Sequence, residues 1–508
     1  VLLHKRQTRI PKHTEQSPPT RRRRLQRRAS ALSMTTARSL TLASAIAFLL
    51  AFSSRSPSSL AVGDGEQEAD RVAHLPGQPG SPSVSQFAGY VTIDERRGRA
   101  LFYWFFEAQA VPEEKPLLLF LTGGPGCSSI GYGAASELGP LRVASQGAAL
   151  EFNQYAWNKE ANLLFLDSPA GVGFSYTNTS SDLNNLNDDF VAKDSYSFLL
   201  NWLERFPQYK NRDFYIAGDS YAGHYVPQLA ELVYEENKEK MGKIYINLKG
   251  FIVGNPATNY YYDSKGFAEY AWSHAVVSDE VYERIKKYCD FKNSNWSDDC
   301  NAAMNTIFSQ YQEINIYSIY APKCLLNQTS ASSTKRSFFA GSQEPFSRTM
   351  RMFSGYDPCY ESYAEDYFNK EEVQRAFHAN VRGLLPGKWH VCSDPISKSY
   401  NFSVFSVLPI YSKLIKAGLR VWLYSGDTDG RVPVIGSRYC VEALGLPIKT
   451  QWQPWYLDKQ VAGRFVEYHG MSMVTVRGAA HLVPLNKPAE GLMLINTFLR
   501  GEQLPTRR

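Results

Sequence analysis

Long hydrophobic runs are scarce in this chain. The stretch "LTLASAIAFLLAF" at 40–52 falls short of the roughly 20 apolar residues that a bilayer-spanning helix needs, so no stable membrane insertion is expected. An excess of one charge is also missing once the first residues are set aside. The net charge of +6 over 508 residues owes everything to residues 1–33, which hold ten Lys/Arg, "RRRR" at 21–24 among them, and one Glu. Removing these from the totals of 55 basic and 49 acidic residues leaves 45 against 48. That balance offers no basic surface for nucleic acid. There is no internal repeat and no G-x-x-x-x-G-K-[ST] phosphate loop, and neither a cofactor nor a metal is expected. Cysteine is sparse and odd in number, at seven, so one thiol is left over if the others pair.

What is present begins with Met34. "MTTARSL", the apolar stretch that follows and a small-residue exit near Ala61 have the order of a secretory signal, basic then apolar then small. Residues 1–33 read as upstream translation and residues 34–61 as the signal peptide. The oxidising route that a signal implies suits paired cysteines. It also suits four N-glycosylation sequons, at Asn178, Asn295, Asn327 and Asn401. The expected location is extracellular or vacuolar, and the partner state, a homodimer included, is left open.

The body of the chain, with 44% hydrophobic and 13% aromatic residues across its length, has material for a large core. "FAGYVTID" and "RALFYWFFEAQ" alternate around the turn "ERRGR" as a hairpin does. "PLLLFL" (116–121), "ANLLFLD" (161–167), "DFYIAG" (213–218), "INLKGFIVG" (246–254), "LRVWLYSG" (419–426) and "SMVTVRG" (472–478) are continuous apolar runs, with helical stretches such as 188–206 between them. Buried strands alternating with helices predict an α/β fold, a mainly parallel sheet covered on both faces. Its two parts are 75–257 and 386–505. Residues 258–385, Tyr- and Cys-rich and without a sheet period, read as an inserted cap, with a Ser/Thr-rich loop at 327–350 open to proteolytic processing.

Chemistry enters at "GDSYAGHYVP" (218–227), where a strand gives way to a helix at Ser220 among the small residues Gly218, Ala222 and Gly223. A nucleophile elbow needs small neighbours because its serine sits on a strained turn pressed between strand and helix. An ordinary β-to-α turn with a capping serine has the same look. A base and an orienting acid separate the two readings, since a serine hydroxyl alone is a poor nucleophile. Past the late strand, "GDTDGRVP" offers Asp427 and Asp429, and only His469 and His481 lie beyond it. His481, on the turn after "SMVTVRG", completes the order Ser, acid, His. "LTGGPGCSS" (121–129) can present backbone N–H groups to a developing oxyanion, with Gly124 and Tyr221 as donors.

With "LDSPAGVGFSYTNTSSD" these motifs, in this order, resemble the serine carboxypeptidases, above all the plant type-II enzymes, over residues 74 to 505. The resemblance implies an α/β-hydrolase fold with an inserted, disulfide-stapled cap. It further implies release of single residues from peptide or protein C-termini through Ser220, Asp429 and His481, with Gly124 and Tyr221 as oxyanion donors. The pairs Cys127–Cys392, Cys289–Cys300 and Cys324–Cys359 follow from the same resemblance, with Cys440 left free.

Recognition of the substrate carboxylate maps to Thr122, Gly123 and Asp219, with Glu137 behind them. The family uses Asn where Thr122 stands and Glu where Asp219 stands. Thr has one donor in place of an amide's two, and Asp is a methylene shorter. Losing a hydrogen bond to a charged group costs about 1.5–3 kcal/mol, so peptide binding would weaken by one to two orders of magnitude. Ala480 replaces the Gly common before the histidine. Asp before the nucleophile is frequent in relatives that transfer acyl groups from glucose esters, and hydroxynitrile lyases share the scaffold. The expectation is an acid-pH carboxypeptidase, with acyltransferase, lyase and non-catalytic secreted binding protein as alternatives.

Overall fold

The apolar runs become the middle of one sheet because both of its faces are buried. Along β2 (Arg99–Phe106), Leu101, Tyr103 and Phe105 enter one core while Phe102, Trp104 and Phe106 enter the other. Opposite pointing of successive side chains is what makes a doubly covered strand read as a continuous run. The computed structural model describes residues 62–239, 244–293, 295–325, 356–380, 383, 385 and 387–508. The basic arm 1–33, the signal segment 34–61, Asn327 and the loop 327–350 lie outside the described residues.

The strands are β1 (Gln86–Asp94), β2, β3 (Leu117–Thr122), β4 (Leu141–Val143), β5 (Leu150–Phe152), β6 (Asn162–Leu166) and β7 (Tyr176–Thr177). They continue as β8 (Phe214–Asp219), β9 (Leu248–Gly254), β10 (Arg420–Gly426), β11 (Ile448–Leu457), β12 (Gln460–Tyr468) and β13 (Met471–Val476). Eleven form one sheet in the order β1-β2-β6-β3-β8-β9-β10-β13-β12-β11, with β7 beside β2, and β4 pairs with β5 apart from it. From β6 to β13 the neighbours are parallel. Both margins are antiparallel. The parallel strands therefore all present their carboxyl ends at one edge, where open α/β sheets place their sites.

Helices cover both faces. Asp188–Arg205 begins with Asn187, whose side chain accepts from Phe190 N at 3.0 Å, and it buries Phe198, Leu199 and Trp202 in one core. Ala222–Lys238 adds Val226, Leu229 and Val233 to the same core, and Pro488–Arg500 packs Leu494, Ile495 and Phe498 into the other. A large apolar side chain so buried contributes roughly 1.5–3 kcal/mol.

The insertion holds its own small core. Helices Tyr260–Ser273, Asp279–Tyr288 and Asp298–Tyr311 bury Phe267, Ile285, Met304 and Ile307 together. Helices Tyr360–Phe368 and Glu371–Ala376, assigned to the cap 258–385, pack Tyr367, Phe368 and Val373 against the central sheet. Their aromatic side chains fill space beside Trp104 and Phe174, with Phe368 and Trp104 ring centroids 6.3 Å apart. Among the described residues no helix is long and apolar enough to cross a membrane.

Candidate active site

Ser220 sits between the end of β8 and the helix Ala222–Lys238 with φ of +61°, the left-handed region that strains a serine. Its carbonyl accepts from Gly223 N at 2.9 Å and Ala257 N at 3.0 Å, and its N–H donates to Gly254 O at 3.0 Å. These bonds hold the strain in place. The neighbouring glycines have a steric reason. A Cβ at Gly218 would stand 2.5 Å from Leu121 O and 2.8 Å from Val226 Cγ2, and one at Gly223 would stand 2.3 Å from Ala257 O. Helix and strand touch through the missing side chains.

Asp429 and His481 come together at the ends of β10 and β13. His481 Nδ1–H donates to Asp429 Oδ2 at 2.6 Å, and both residues are buried. Two more donors reach the same carboxylate: Asn255 Nδ2 at 2.8 Å and Arg431 N at 2.7 Å. Asn255 is fixed in turn, accepting from Gly426 N at 3.0 Å. Sequence reasoning missed Asn255. Its only signal was a polar residue directly after the apolar strand β9. The Asp427 side chain instead accepts from Gly478 N at 2.6 Å, and His469 is exposed on the β12–β13 turn. The insertion reaches in as well. Tyr317 O accepts from His481 N at 2.9 Å, Ile316 O accepts from Gly430 N at 3.0 Å, and Ile319 N donates to Thr428 O at 3.2 Å. Ala480, the departure beside the histidine, is buried and its N–H donates to Asn486 Oδ1 at 2.9 Å.

The glycine-rich loop presses on the elbow. A Cβ at Gly123 would fall 2.2 Å from Tyr221 N, so only glycine permits this approach. Gly124 follows with φ of +112°, and it lines the same cavity as Ser220 and Tyr221. Asp167, also missed from sequence, holds the far side of the loop by accepting from Ser128 Oγ at 2.6 Å and Ile130 N at 3.3 Å.

Thr122 and Asp219 are register partners at the ends of β3 and β8, and both are buried. Asp219 faces Glu137, which is buried on the helical turn Ile130–Leu138. Were both acids ionised, two like charges would be buried against each other, with only the Gly123 N–H and Thr122 near Asp219 to offset them. A hydrogen bond through a shared proton removes that cost. Burial pushes the Asp219 carboxyl up to about 6, against the opposing pull of His481, Glu137, the Gly123 N–H and Thr122. Burial and the charge of Asp219 push Glu137 up further, although Arg142 lies close and donates to the Glu137 carbonyl.

Ser220, Tyr221 and Gly124 open into a cavity of about 670 Å³ whose wall includes Phe267, Trp296, Phe308, Phe402 and Arg431. Among the described residues no group of three or more His, Cys, Asp or Glu could hold a metal ion. Three disulfides join Cys127 to Cys392, Cys289 to Cys300 and Cys324 to Cys359, while Cys440 is buried and free. Of the sequon asparagines, Asn178, Asn295 and Asn401 are exposed.

Against known proteins, the pattern of the family described as serine carboxypeptidase matches residues 76–501. Serine carboxypeptidase-like 26 of Oryza sativa subsp. japonica is 82% identical over 445 residues, 87% of this chain and 92% of its own. Serine carboxypeptidase-like 33 of Arabidopsis thaliana is 58% identical over 446 residues, 87% of this chain and 93% of its own. The crystal structure of Kex1(delta)p, a prohormone-processing carboxypeptidase of Saccharomyces cerevisiae, superposes with a TM-score of 0.70 at 22% identity, covering 86% of this chain and 96% of that one.

Proposed function

The chain belongs to the serine carboxypeptidase family, a family of serine-type peptidases, and from that premise we propose that it removes C-terminal residues from peptides through an acyl-enzyme on Ser220. The observation that carries this reading is the buried 2.6 Å bond from His481 Nδ1 to Asp429 Oδ2, at the same edge of the sheet as the left-handed Ser220. Asp429 fixes the imidazole so that Nε2 is free to take the Ser220 proton as Oγ attacks the carbonyl carbon. The oxyanion forms against the N–H groups of Gly124 and Tyr221. Collapse breaks the C–N bond, and the proton on Nε2 passes to the leaving amine. Water, deprotonated by the same nitrogen, then attacks the ester and frees Ser220.

The paired acids Asp219 and Glu137, with Thr122 and the Gly123 N–H, form the end that takes the substrate's terminal carboxylate. A neutral carboxyl donates to that anion, whereas an ionised one repels it. This favours peptide work at acid pH, on the low side of about 6. Exposed sequons at Asn178, Asn295 and Asn401 and the three disulfides support an extracellular or vacuolar location.

A second reading, acyl transfer from a glucose ester, draws on Asp219 and Thr122 where the family's peptidases carry Glu and Asn, and on the aromatic wall of the cavity. One experiment separates the two. Purified protein is incubated with a blocked dipeptide and, separately, with a glucose-ester donor plus acceptors, and the products are identified. Release of the free terminal amino acid supports the peptidase. Transfer without peptide cleavage replaces it with the second reading.

A further inference from the structure

Asp188 is a buried carboxylate that the chemistry above leaves unused. It opens the helix Asp188–Arg205 and accepts from four donors: Tyr221 Oη at 2.8 Å, Tyr400 Oη at 3.1 Å, Ser403 Oγ at 3.1 Å and Val404 N at 2.9 Å. Among the described residues no cation lies within ion-pair distance of it, so its charge is carried by these hydrogen bonds alone. Tyr221 is the residue whose peptide N–H faces the developing oxyanion. Its ring is gripped on every side. It stacks on His224 at 5.0 Å with planes 8° apart, and meets Tyr225, Tyr400 and Phe402 edge-on at 5.2–5.7 Å. His224 is itself buried, and burial pushes it down to about 4, so the stacked ring is neutral. The other donors come from the segment 400–404, in which Phe402 and Ser403 form part of the cavity wall.

We propose that Asp188 is a positioning residue for the oxyanion hole: by anchoring the Tyr221 hydroxyl it sets the Tyr221 backbone N–H, and by the same carboxylate it ties the elbow to the cavity wall at 400–404. Oxyanion donors act by being in place before charge develops, so an anchor on the far end of the donor's own side chain lowers the reorganisation needed in the transition state. The inference rests on the reading of Tyr221 as an oxyanion donor.

The test compares wild type, Asp188→Asn, Tyr221→Phe and the double variant. Each is measured for the rate of Ser220 labelling by an organophosphonate, for kcat and KM on a blocked dipeptide, and for thermal unfolding. The amide at 188 turns donors toward donors, and Tyr221→Phe deletes the anchored hydroxyl while keeping the ring. Each single change should lower kcat and the labelling rate by about tenfold to a hundredfold, with KM within about twofold, and the double variant should be no slower than Asp188→Asn. A purely structural role would move the unfolding temperature and leave the labelling rate of the folded fraction untouched. Unchanged kcat in the single variants, or effects that multiply, overturns the proposal. If Asp188→Asn does not fold, Tyr221→Phe decides alone, an unchanged kcat counting against. Wild type that fails to label at Ser220 removes the active-site reading and this inference with it, whereas labelled wild type and equally labelled variants remove the inference only.

Discussion

Past the carboxyl end of β10, at the triad end of the site, Asp429 gathers three donors, from His481, Asn255 and the Arg431 backbone, all within 2.8 Å. At the end of β8 Asp219 meets a second acid, Glu137, and is pushed up by burial to about 6. Both carboxyls are buried at the same edge of the sheet, so burial does not distinguish them. Their partners do. Donors gathered around one carboxylate hold an imidazole in one orientation, whereas two facing buried acids favour keeping a proton between them. On the function proposed above, the triad end carries the chemistry and the paired-acid end the pH-dependent recognition.

The largest expected effect tests the triad end as a whole. Ser220→Ala should lower kcat by about a millionfold and abolish organophosphonate labelling without altering the fold, since the alanine keeps the elbow and loses the nucleophile. Labelling that persists at another serine removes the contrast at its root. Next, Asp429→Asn should cost about ten thousandfold in kcat by leaving the imidazole in the wrong tautomer. Asp427→Asn should change kcat by less than about threefold, because Asp427 is bound to Gly478 N and not to the histidine. Comparable losses in the two variants would erase the distinction between the acids.

Smaller effects sharpen it. Asn255→Ala removes one of the three donors on Asp429, and kcat should fall by about tenfold to a hundredfold with KM little changed. At the paired-acid end the effect should appear in KM. A carboxyl raised from 3.8 to about 6 binds its proton more tightly in the native state. Its contribution is therefore present below the lower value and lost as pH rises through the upper one. Peptide KM should rise by about tenfold as pH climbs from 5 to 8, while esters and amidated peptides, which lack the carboxylate, should show no such rise. Asp219→Asn should flatten the peptide profile. Thr122→Asn with Asp219→Glu should lower peptide KM and leave ester KM within about twofold. A flat peptide profile in the wild type would leave the two ends undistinguished.

The central strands were legible because each is buried on both faces, and a run such as "PLLLFL" has no polar residue to obscure it. The hairpin β11–β12 was not, because β11 lies at the edge of the sheet and mixes exposed and half-buried positions from Ile448 to Leu457 without a clean period. Among site residues, Ser220, Asp429 and His481 stand on turns whose order and composition point to them. Asn255 and Asp188 do not. Each acts through contacts with segments far away in sequence, and a single polar residue beside a strand or at a helix start has many ordinary uses. The pairing of Asp219 with Glu137 was anticipated as a supporting contact, but the proton it demands depends on burial, which no motif records. Packing within the stretch read as cap was illegible for a related reason: Tyr367 and Phe368 look like insertion sequence and lie in a core cluster of the central sheet.

The backbone bonds from Tyr317, Ile316 and Ile319 to the histidine and aspartate loops bear on the order in which the molecule comes into being. As the chain emerges from the ribosome, the strand and helix around Ser220 appear first, then the insertion, then Asp429, and His481 close to the end of the 508 residues. The insertion is thus synthesised before the two late loops that bond to it, and the serine turn is complete before either of them exists. Until His481 is made, the newborn chain carries the Ser220 hydroxyl without the base that the proposed chemistry assigns to it.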